Sequence, residues 1–317
     1  MEKNNLRIAI ICSGNFPGGI ENLAKYKSFV FDQVKEVEKL GSNISFFLIK
    51  GKGVKGYMGN RKRLKLFLKE KKFDIIHAHS GLSGLLVSLS TLKPFIVTFH
   101  GSDVNKKKER LLSLIPGILS RKNIFVSEGI LKKFPIKFYN KNYVLPCGVN
   151  TEIFKPIPKN EARKIMNIKL EDKIILFTSG FNNKVKNYPL ARKAIHKVTI
   201  PVKVMEIVNY TREEVALLLN SADVLIMTSF TEGSPQIVKE ANSCNLPVVS
   251  VDVGDVNEQL KNVSSSFIVD RDESSIAEKL ELILKSNMRS KGRDHIKKYD
   301  NKVIINKLLD IYIENKN

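Results

Sequence analysis

Eleven short apolar runs, each followed by a stretch of helical spacing or a turn, constrain this chain more than any other feature. In the first half they are Leu6–Cys12, Ile44–Ile49, Asp74–Ala78, Phe95–Phe99, Ile124–Val126 and Tyr143–Leu145. In the second half they are Ile174–Thr178, Lys203–Ile207, Val224–Met227, Val248–Val251 and Ser266–Val269. Runs this short and this continuously apolar suit strands buried on both faces, which requires helices above and below a parallel sheet. Helical stretches over Glu21–Leu40, Arg61–Lys72 and Leu82–Leu92 supply such cover in the first half. The alternation predicts α/β, doubly wound parallel sheets. With 317 residues there is more chain than one core fills, so two domains are expected, joined near residues 149–160, where Pro146, Gly148, Pro156 and Pro158 cluster.

Within the second half, Glu232 and Glu240 bracket a loop that runs straight into a helix. Ile237, Val238, Ala241 and Asn242 follow at helical spacing, and the next strand begins by Val248. Ser234 reads as the N-cap and Pro235 as the first helical residue, where a missing N–H costs nothing. Such a helix start offers free N–H groups and a positive dipole end to a phosphate or departing anion. The two carboxylates can accept hydrogen bonds from a polyhydroxylated ligand.

The Glu–x7–Glu segment resembles the donor-sugar motif of retaining family-4 glycosyltransferases with the GT-B fold. Gly18-Gly19 after the first strand, Thr98-Phe99-His100-Gly101-Ser102-Asp103, Pro146-Cys147-Gly148-Val149-Asn150 and Lys186-Asn187 occur in that family's order along nearly the whole chain. The resemblance implies two Rossmann-like domains facing across a cleft, over residues 1–150 and 151–296, with a last helix of about 297–317 (drawn from Lys291–Asn315) crossing back. It implies a nucleotide-sugar donor, UDP- or GDP-linked, held by the second domain. Glu240 would bind ribose hydroxyls, Glu232 with Gly233, Ser234, Pro235 and Gln236 the sugar, and Lys186 the diphosphate. Gly18 and Gly19 would lie beside the diphosphate, and His100 would stand between donor sugar and acceptor hydroxyl, so that His100, Glu232 and Lys186 are the catalytic candidates. The family usually shows Gly-Arg and then Lys-Gly after the first strand of the donor domain. Here the arginine position holds Phe181 and the glycine Asn187, with Lys184 available to compensate.

Each motif also has a plainer reading. Gly14–Glu21 lacks the G-x-G-x-x-G spacing of a nicotinamide site and could be a permissive turn alone. His77 and His79 alternate along one strand, share a face, and read as structural, with His79 near the cleft. Asp270-Arg271-Asp272 matches the DxD of metal-dependent transferases, but precedes a helix over Ser274–Lys285 and reads as an N-cap. No metal or other cofactor is expected.

Charge is uneven. Residues 1–150 carry 27 Lys and Arg against 10 acidic residues, +17, whereas residues 151–317 carry 26 against 22, +4. A basic amino-terminal half suits an anionic surface or a lipid-linked, phosphorylated acceptor, with Asp103, Lys106 and Lys107 on the acceptor side. Ten basic residues crowd positions 50–72, where Leu64, Phe67 and Leu68 form the apolar face of a surface helix. Few aromatic residues interleave with those lysines, which argues against nucleic-acid binding. No apolar run approaches the roughly 20 residues of a membrane span, residues 1–5 show no leader, and Cys12, Cys147 and Cys244 form no CxxC pair, so a cytoplasmic protein, peripheral on the membrane, is expected. The sum is a sugar transferase for envelope or capsule polysaccharide. A catalytically silent GT-B partner protein, suggested by Phe181, is the alternative.

Overall fold

The computed structural model describes residues 5–136 and 141–316, so residues 1–4, part of the segment read as leaderless, lie outside the described residues. The chain divides into two units, Met1–Gly148 with Asn301–Asn317, and Val149–Asp300.

In unit 1 the strands are β1 (Arg7–Ser13), β2 (Asn43–Ile49), β3 (Ile75–His79), β4 (Ile96–Phe99), β5 (Lys122–Phe125) and β6 (Asn142–Val144). They form one sheet in the order β2-β1-β3-β4-β5-β6, and every adjacent pair is parallel. Alternation along β1 sends Ile8 and Ile10 to one core and Ala9 and Ile11 to the other. On the first face Val30, Val34 and Val37 of the helix Ser28–Lys39 pack beside Ile304, Leu308 and Tyr312 of the helix Asn301–Ile313. On the second face Leu64, Leu68, Leu86 and Phe99 meet Phe125 and Phe134.

The single helix expected over Glu21–Leu40 is broken. A 3-10 turn at Gly19–Asn22 and a short helix Leu23–Tyr26 end at Lys27, whose φ of −142° and ψ of 49° interrupt the run before Ser28. Leu23 before the break and Val30 after it are both buried.

Unit 2 repeats the plan with β7 (Ile174–Phe177), β8 (Lys203–Glu206), β9 (Val224–Met227), β10 (Val248–Val251) and β11 (Phe267–Val269), in the order β11-β10-β9-β7-β8, all parallel. Every residue of β7, β9 and β10 is buried, as continuous apolar runs covered on both faces must be. In each unit the first strand lies between the second and the third, so the chain reverses direction across the sheet there. Ligand crevices open at that reversal, outside the carboxyl ends of the strands.

Candidate functional site

In unit 2 the reversal falls between β7 and β9, and the loops leaving those strands are tied together. After β7, Asn183 caps a 3-10 turn, Lys184–Lys186, by accepting from Val185 N. Asn187 then takes a left-handed conformation (φ 55°) and Tyr188-Pro189 start the helix Tyr188–His196. After β9, Thr228 Oγ1 donates to the carbonyls of Lys186 and Asn187, both at 3.0 Å, and Phe230 N donates to Val185 O at 2.9 Å. These bonds bring Lys186 Nζ within 2.6 Å of Glu232 Oε1, both side chains being largely shielded. Lys184 is exposed at the same turn. Phe181 does not reach toward this pair. Its ring stacks on Tyr188 at 4.0 Å and its N–H donates to Glu206 Oε2 at 2.7 Å, so the position that holds arginine in the resembling family is packing here.

The helix beyond the loop is Gln236–Ser243, with Pro235 as its N-cap residue and no side-chain cap. The expectation that Ser234 caps it, with Pro235 at the first helical position, is overturned. Ser234 Oγ donates instead to Asp255 Oδ2 at 2.7 Å, and Asp255 also accepts from Gln259 Nε2 at 2.6 Å. A buried carboxylate is the stronger acceptor and draws the hydroxyl away from the helix. Burial pushes the Asp255 carboxyl above its usual range, although Lys239 and these two donors pull it down. Gly254 (φ +64°) runs so close that a Cβ there would meet Gly233 O at 3.0 Å and the Glu232 Cβ at 3.1 Å. The loop carrying Glu232 and Gly233 therefore rests on backbone that only glycine allows.

Glu240 is 3% exposed and pairs with Arg212, whose guanidinium lies 4.5 Å over the Phe154 ring. Arg212 opens the helix Arg212–Ser221, which Thr211 and Glu214 start with a capping box. A carboxylate this buried needs such a partner. Sequence reasoning missed Arg212, and its only local signal is the T-x-x-E start that orients the helix. Asp272 is an N-cap, as read from sequence: Oδ1 accepts from Ser274 N and Ser275 N, both at 2.9 Å, at the start of the helix Glu273–Ser286. Among the described residues no three His, Cys, Asp or Glu side chains are grouped to hold a metal ion.

In unit 1 the reversal falls between β1 and β3, and a cavity of about 300 Å³ opens there. Cys12 and Ser13 of β1, His79 of β3, His100 and Asp103 after β4, and Lys27 line it. Three imidazoles stack inward from it. His100 Nε2 lies 3.1 Å from His79 Nδ1 with the rings nearly parallel, and His77 lies 4.3 Å beyond. His77 Nδ1 meets Tyr312 Oη at 2.6 Å and Nε2 meets Thr98 Oγ1 at 2.7 Å. Cys147 Sγ is 4.0 Å from His100 Nδ1. His79 Nε2, by contrast, is buried and has no hydrogen-bond partner among the described residues.

Burial holds all three histidines below the ordinary imidazole range. His79 is pushed down to about 3 by burial together with the nearby Lys27 ammonium, and burial, His79 and Lys27 hold His100 well down. The imidazoles are therefore neutral at pH 7 and can exchange hydrogen bonds without adding charge. Lys27 is a site residue that sequence reasoning overlooked, because it sits inside what reads as a continuous helix. Its backbone break is what brings it to the cavity.

Asp103 positions His100. Its carboxylate accepts from His100 N (3.1 Å), Gly101 N (2.8 Å) and Gly81 N (3.1 Å), stitching two strand-to-helix turns together. Burial raises its carboxyl, against the pull of those N–H groups. Lys106 lines the cavity rim, and Lys107 is exposed one residue on. Gly18 (φ 75°) and Gly19 (φ 60°) hold the turn after β1, and a Cβ at Gly19 would meet nothing within 4 Å. The turn is thus glycine for its backbone and open on that side.

Three of the ten basic residues at 50–72 are tied to backbone carbonyls. Lys50 Nζ donates to Gly14 O, Arg61 Nε to Leu89 O and Arg63 Nη2 to Leu48 O, each at 2.6 Å. Leu64 and Leu68 of the helix Arg61–Glu70 are buried, and Phe67 is wedged between Phe47 and Phe73.

Comparison with known proteins agrees in both units. Residues 29–153 match the family model "Glycosyltransferase Family 4" and residues 192–303 match "Glycosyl transferases group 1". TuaC of Bacillus subtilis, a glycosyltransferase assigned to teichuronic acid biosynthesis, is 26% identical over 58% of this chain and 54% of its own length, so the match spans about half of that relative. The UDP-Gal:α-D-GlcNAc-diphosphoundecaprenol α-1,3-galactosyltransferase of Escherichia coli is 23% identical over 78% of this chain and 77% of its own. Among solved structures, sucrose-phosphate synthase from Thermosynechococcus elongatus superposes with a TM-score of 0.83 at 15% identity, covering 98% of both chains. Anabaena HepE in complex with UDP and glucose does so with a TM-score of 0.74 at 13% identity, covering 98% of this chain and 100% of its own.

Proposed function

Because the chain belongs to the family-4 glycosyltransferases and has the GT-B fold, we propose that it moves a sugar from a nucleotide-sugar donor to a glycan or lipid-linked acceptor with retention of anomeric configuration. The observation that carries this reading is the Lys186–Glu232 pair, set at the strand reversal of unit 2 beside the start of the helix Gln236–Ser243. Lys186 supplies positive charge for a diphosphate, with Lys184 beside it. Glu232 and the Gly233–Gln236 backbone offer acceptors and donors to sugar hydroxyls, and Glu240, oriented by Arg212, to ribose hydroxyls.

For the chemistry we infer front-face displacement. The acceptor hydroxyl oxygen bonds to the anomeric carbon as the bond from that carbon to the diphosphate oxygen breaks, and the hydroxyl proton passes to the departing phosphate. Charge builds on the diphosphate in the transition state, where a fixed ammonium stabilises it most. No divalent ion is needed on this reading. The unit 1 cavity takes the acceptor. His79 and His100 support this, since both rings line the cavity beside one another and neutral imidazoles can exchange hydrogen bonds with a hydroxyl.

Structural neighbours crystallised with UDP and UDP-glucose favour a uridine donor. The envelope relatives favour an envelope polysaccharide acceptor on the cytoplasmic side of a membrane. No helix among the described residues is long and apolar enough to cross one. A thermal-shift panel of UDP, GDP, ADP and CMP tests the donor, because a ligand bound only by the native state raises Tm with its affinity and excess. Transfer assays with and without EDTA test the metal. If no nucleotide stabilises the protein, the silent-partner alternative gains the ground.

A further inference from the structure

The helix Lys107–Leu119 in unit 1 buries small residues and leaves four large aliphatic ones outside. Its inward positions are small: Ser113, Pro116 and Gly117 are buried. Of its large aliphatic residues, Leu112 is half-buried and Leu114 packs against the core, while Leu111, Ile115, Ile118 and Leu119 face outward, between 43% and 57% exposed. Spacing of four, three and one residues puts them on one stripe.

Packing fixes that orientation. A Cβ at Gly81 would lie 1.9 Å from Ser113 Oγ, one at Gly84 would lie 2.7 Å from Pro116 Cβ, and one at Gly117 would lie 2.5 Å from the Phe134 ring. Ser113 Oγ also donates to Asp103 O at 2.9 Å. Larger residues cannot be rolled into a contact this close, so the aliphatic stripe has no route into the core. Beyond the helix the stripe continues, because Leu119 and the fully exposed Leu92 line one depression together with Lys93 and Arg121.

The surroundings are cationic. Residues 106–122 hold six basic side chains (Lys106, Lys107, Lys108, Arg110, Arg121 and Lys122) against one acidic, Glu109. An aliphatic stripe with cations at both ends matches an anionic lipid surface, whose headgroups meet the charges while the acyl region takes the side chains. The same helix reaches the cavity at its amino-terminal end, through Lys106, Glu109 and Ser113.

We propose that the outward face of Lys107–Leu119, extended by Leu92, docks unit 1 on an anionic bilayer and so delivers a lipid-linked acceptor to the mouth of the unit 1 cavity. The surface itself stands on the exposure and charge of this helix, and only the delivery rests on the acceptor reading above. It lies apart from the basic crowd at 50–72, whose apolar face is already buried.

The test is flotation of the full chain with phosphatidylcholine vesicles, with and without phosphatidylglycerol, over a salt series and without any sugar nucleotide. Wild type should float with the anionic vesicles and be released by salt. Leu111→Gln/Ile115→Gln/Ile118→Gln should lower partitioning by at least about tenfold, since each exchange removes apolar burial. Lys108→Glu/Arg121→Glu should abolish the preference for anionic lipid. Both variants should keep wild-type Tm and nucleotide-induced shifts, so a failure of the donor reading would show as lost shifts in every protein, independently of flotation. Wild type that stays at the bottom of the gradient, or a triple variant that floats as wild type does, overturns the proposal. So does a triple variant that changes only the oligomeric state, which would assign the stripe to a second copy of the chain.

Discussion

The two units share one strand order, and their candidate sites sit at the same place in it, yet the chemistry differs. At the reversal in unit 1 stand the buried His77 and His79 and the half-buried His100, held neutral, with His79 and His100 lining a cavity. At the reversal in unit 2 stand two ion pairs, Lys186–Glu232 and Arg212–Glu240. Topology therefore decides where a ligand can sit, and the residues at the strand ends decide what it can be. A neutral, hydrogen-bonding cavity suits a hydroxyl that must lose its proton only late. Fixed charges suit a diphosphate that gains negative charge as it leaves.

This contrast can be broken from either side. The largest effect should come from Lys186→Ala, which removes the cation nearest the proposed diphosphate. Transfer should fall about 10²- to 10³-fold, with a smaller loss in chemical denaturation than Arg212→Ala gives because Glu232 is less buried than Glu240, and a rate near wild type would remove the electrostatic role assigned to unit 2. Arg212→Ala leaves Glu240 buried without its guanidinium and should cost about 3 kcal/mol in urea unfolding, together with weaker nucleotide binding. Retained stability would mean that Glu240 finds water or another donor.

On the unit 1 side, Asp103→Ala strips the acceptor from three N–H groups. We expect a loss of about 2 kcal/mol and a lower kcat, while UDP still raises Tm as in wild type, since the nucleotide is assigned to the other unit. A simultaneous loss of nucleotide binding would contradict the separation of roles.

Acid should also tell the units apart. A histidine whose folded pKa is depressed holds its proton more weakly in the native state than in the unfolded chain. Its stability contribution is complete above about pH 6.5 and shrinks as pH falls, by about 1.4 kcal/mol per pH unit for each such histidine. Thermal melts between neutral and mildly acidic pH should therefore show a steep decline that His79→Gln makes shallower; identical slopes would show that the imidazoles are protonated in the fold. The smallest effect belongs to Ser234→Ala, about 1 kcal/mol, because Asp255 keeps its bond from Gln259.

How much of this was legible before folding varies residue by residue. All eleven strands lie within two residues of the apolar runs that predict them; β3, β4, β7, β9 and β10 do so because a strand buried on both faces must be written as a nearly uninterrupted apolar run. Asp272 reads correctly as a cap because capping is local, complete within three residues. Ser234 misreads for the opposite reason: its partner Asp255 is 21 positions away, and a buried acceptor outcompetes the local helix start. Lys27 leaves no local trace and Arg212 only the capping box that starts its helix, since each matters through what the fold sets beside it.

By itself, then, the sequence determined the two parallel sheets, the positions of the strand ends and the residues carried there, all of which depend on periodicity and nearest neighbours. Tertiary structure alone decided which charges pair, which imidazoles lose contact with water, and that the helix Lys107–Leu119 leaves Leu111, Ile115, Ile118 and Leu119 outward. Those outcomes arise from contacts between distant segments, where burial and close packing override local preference.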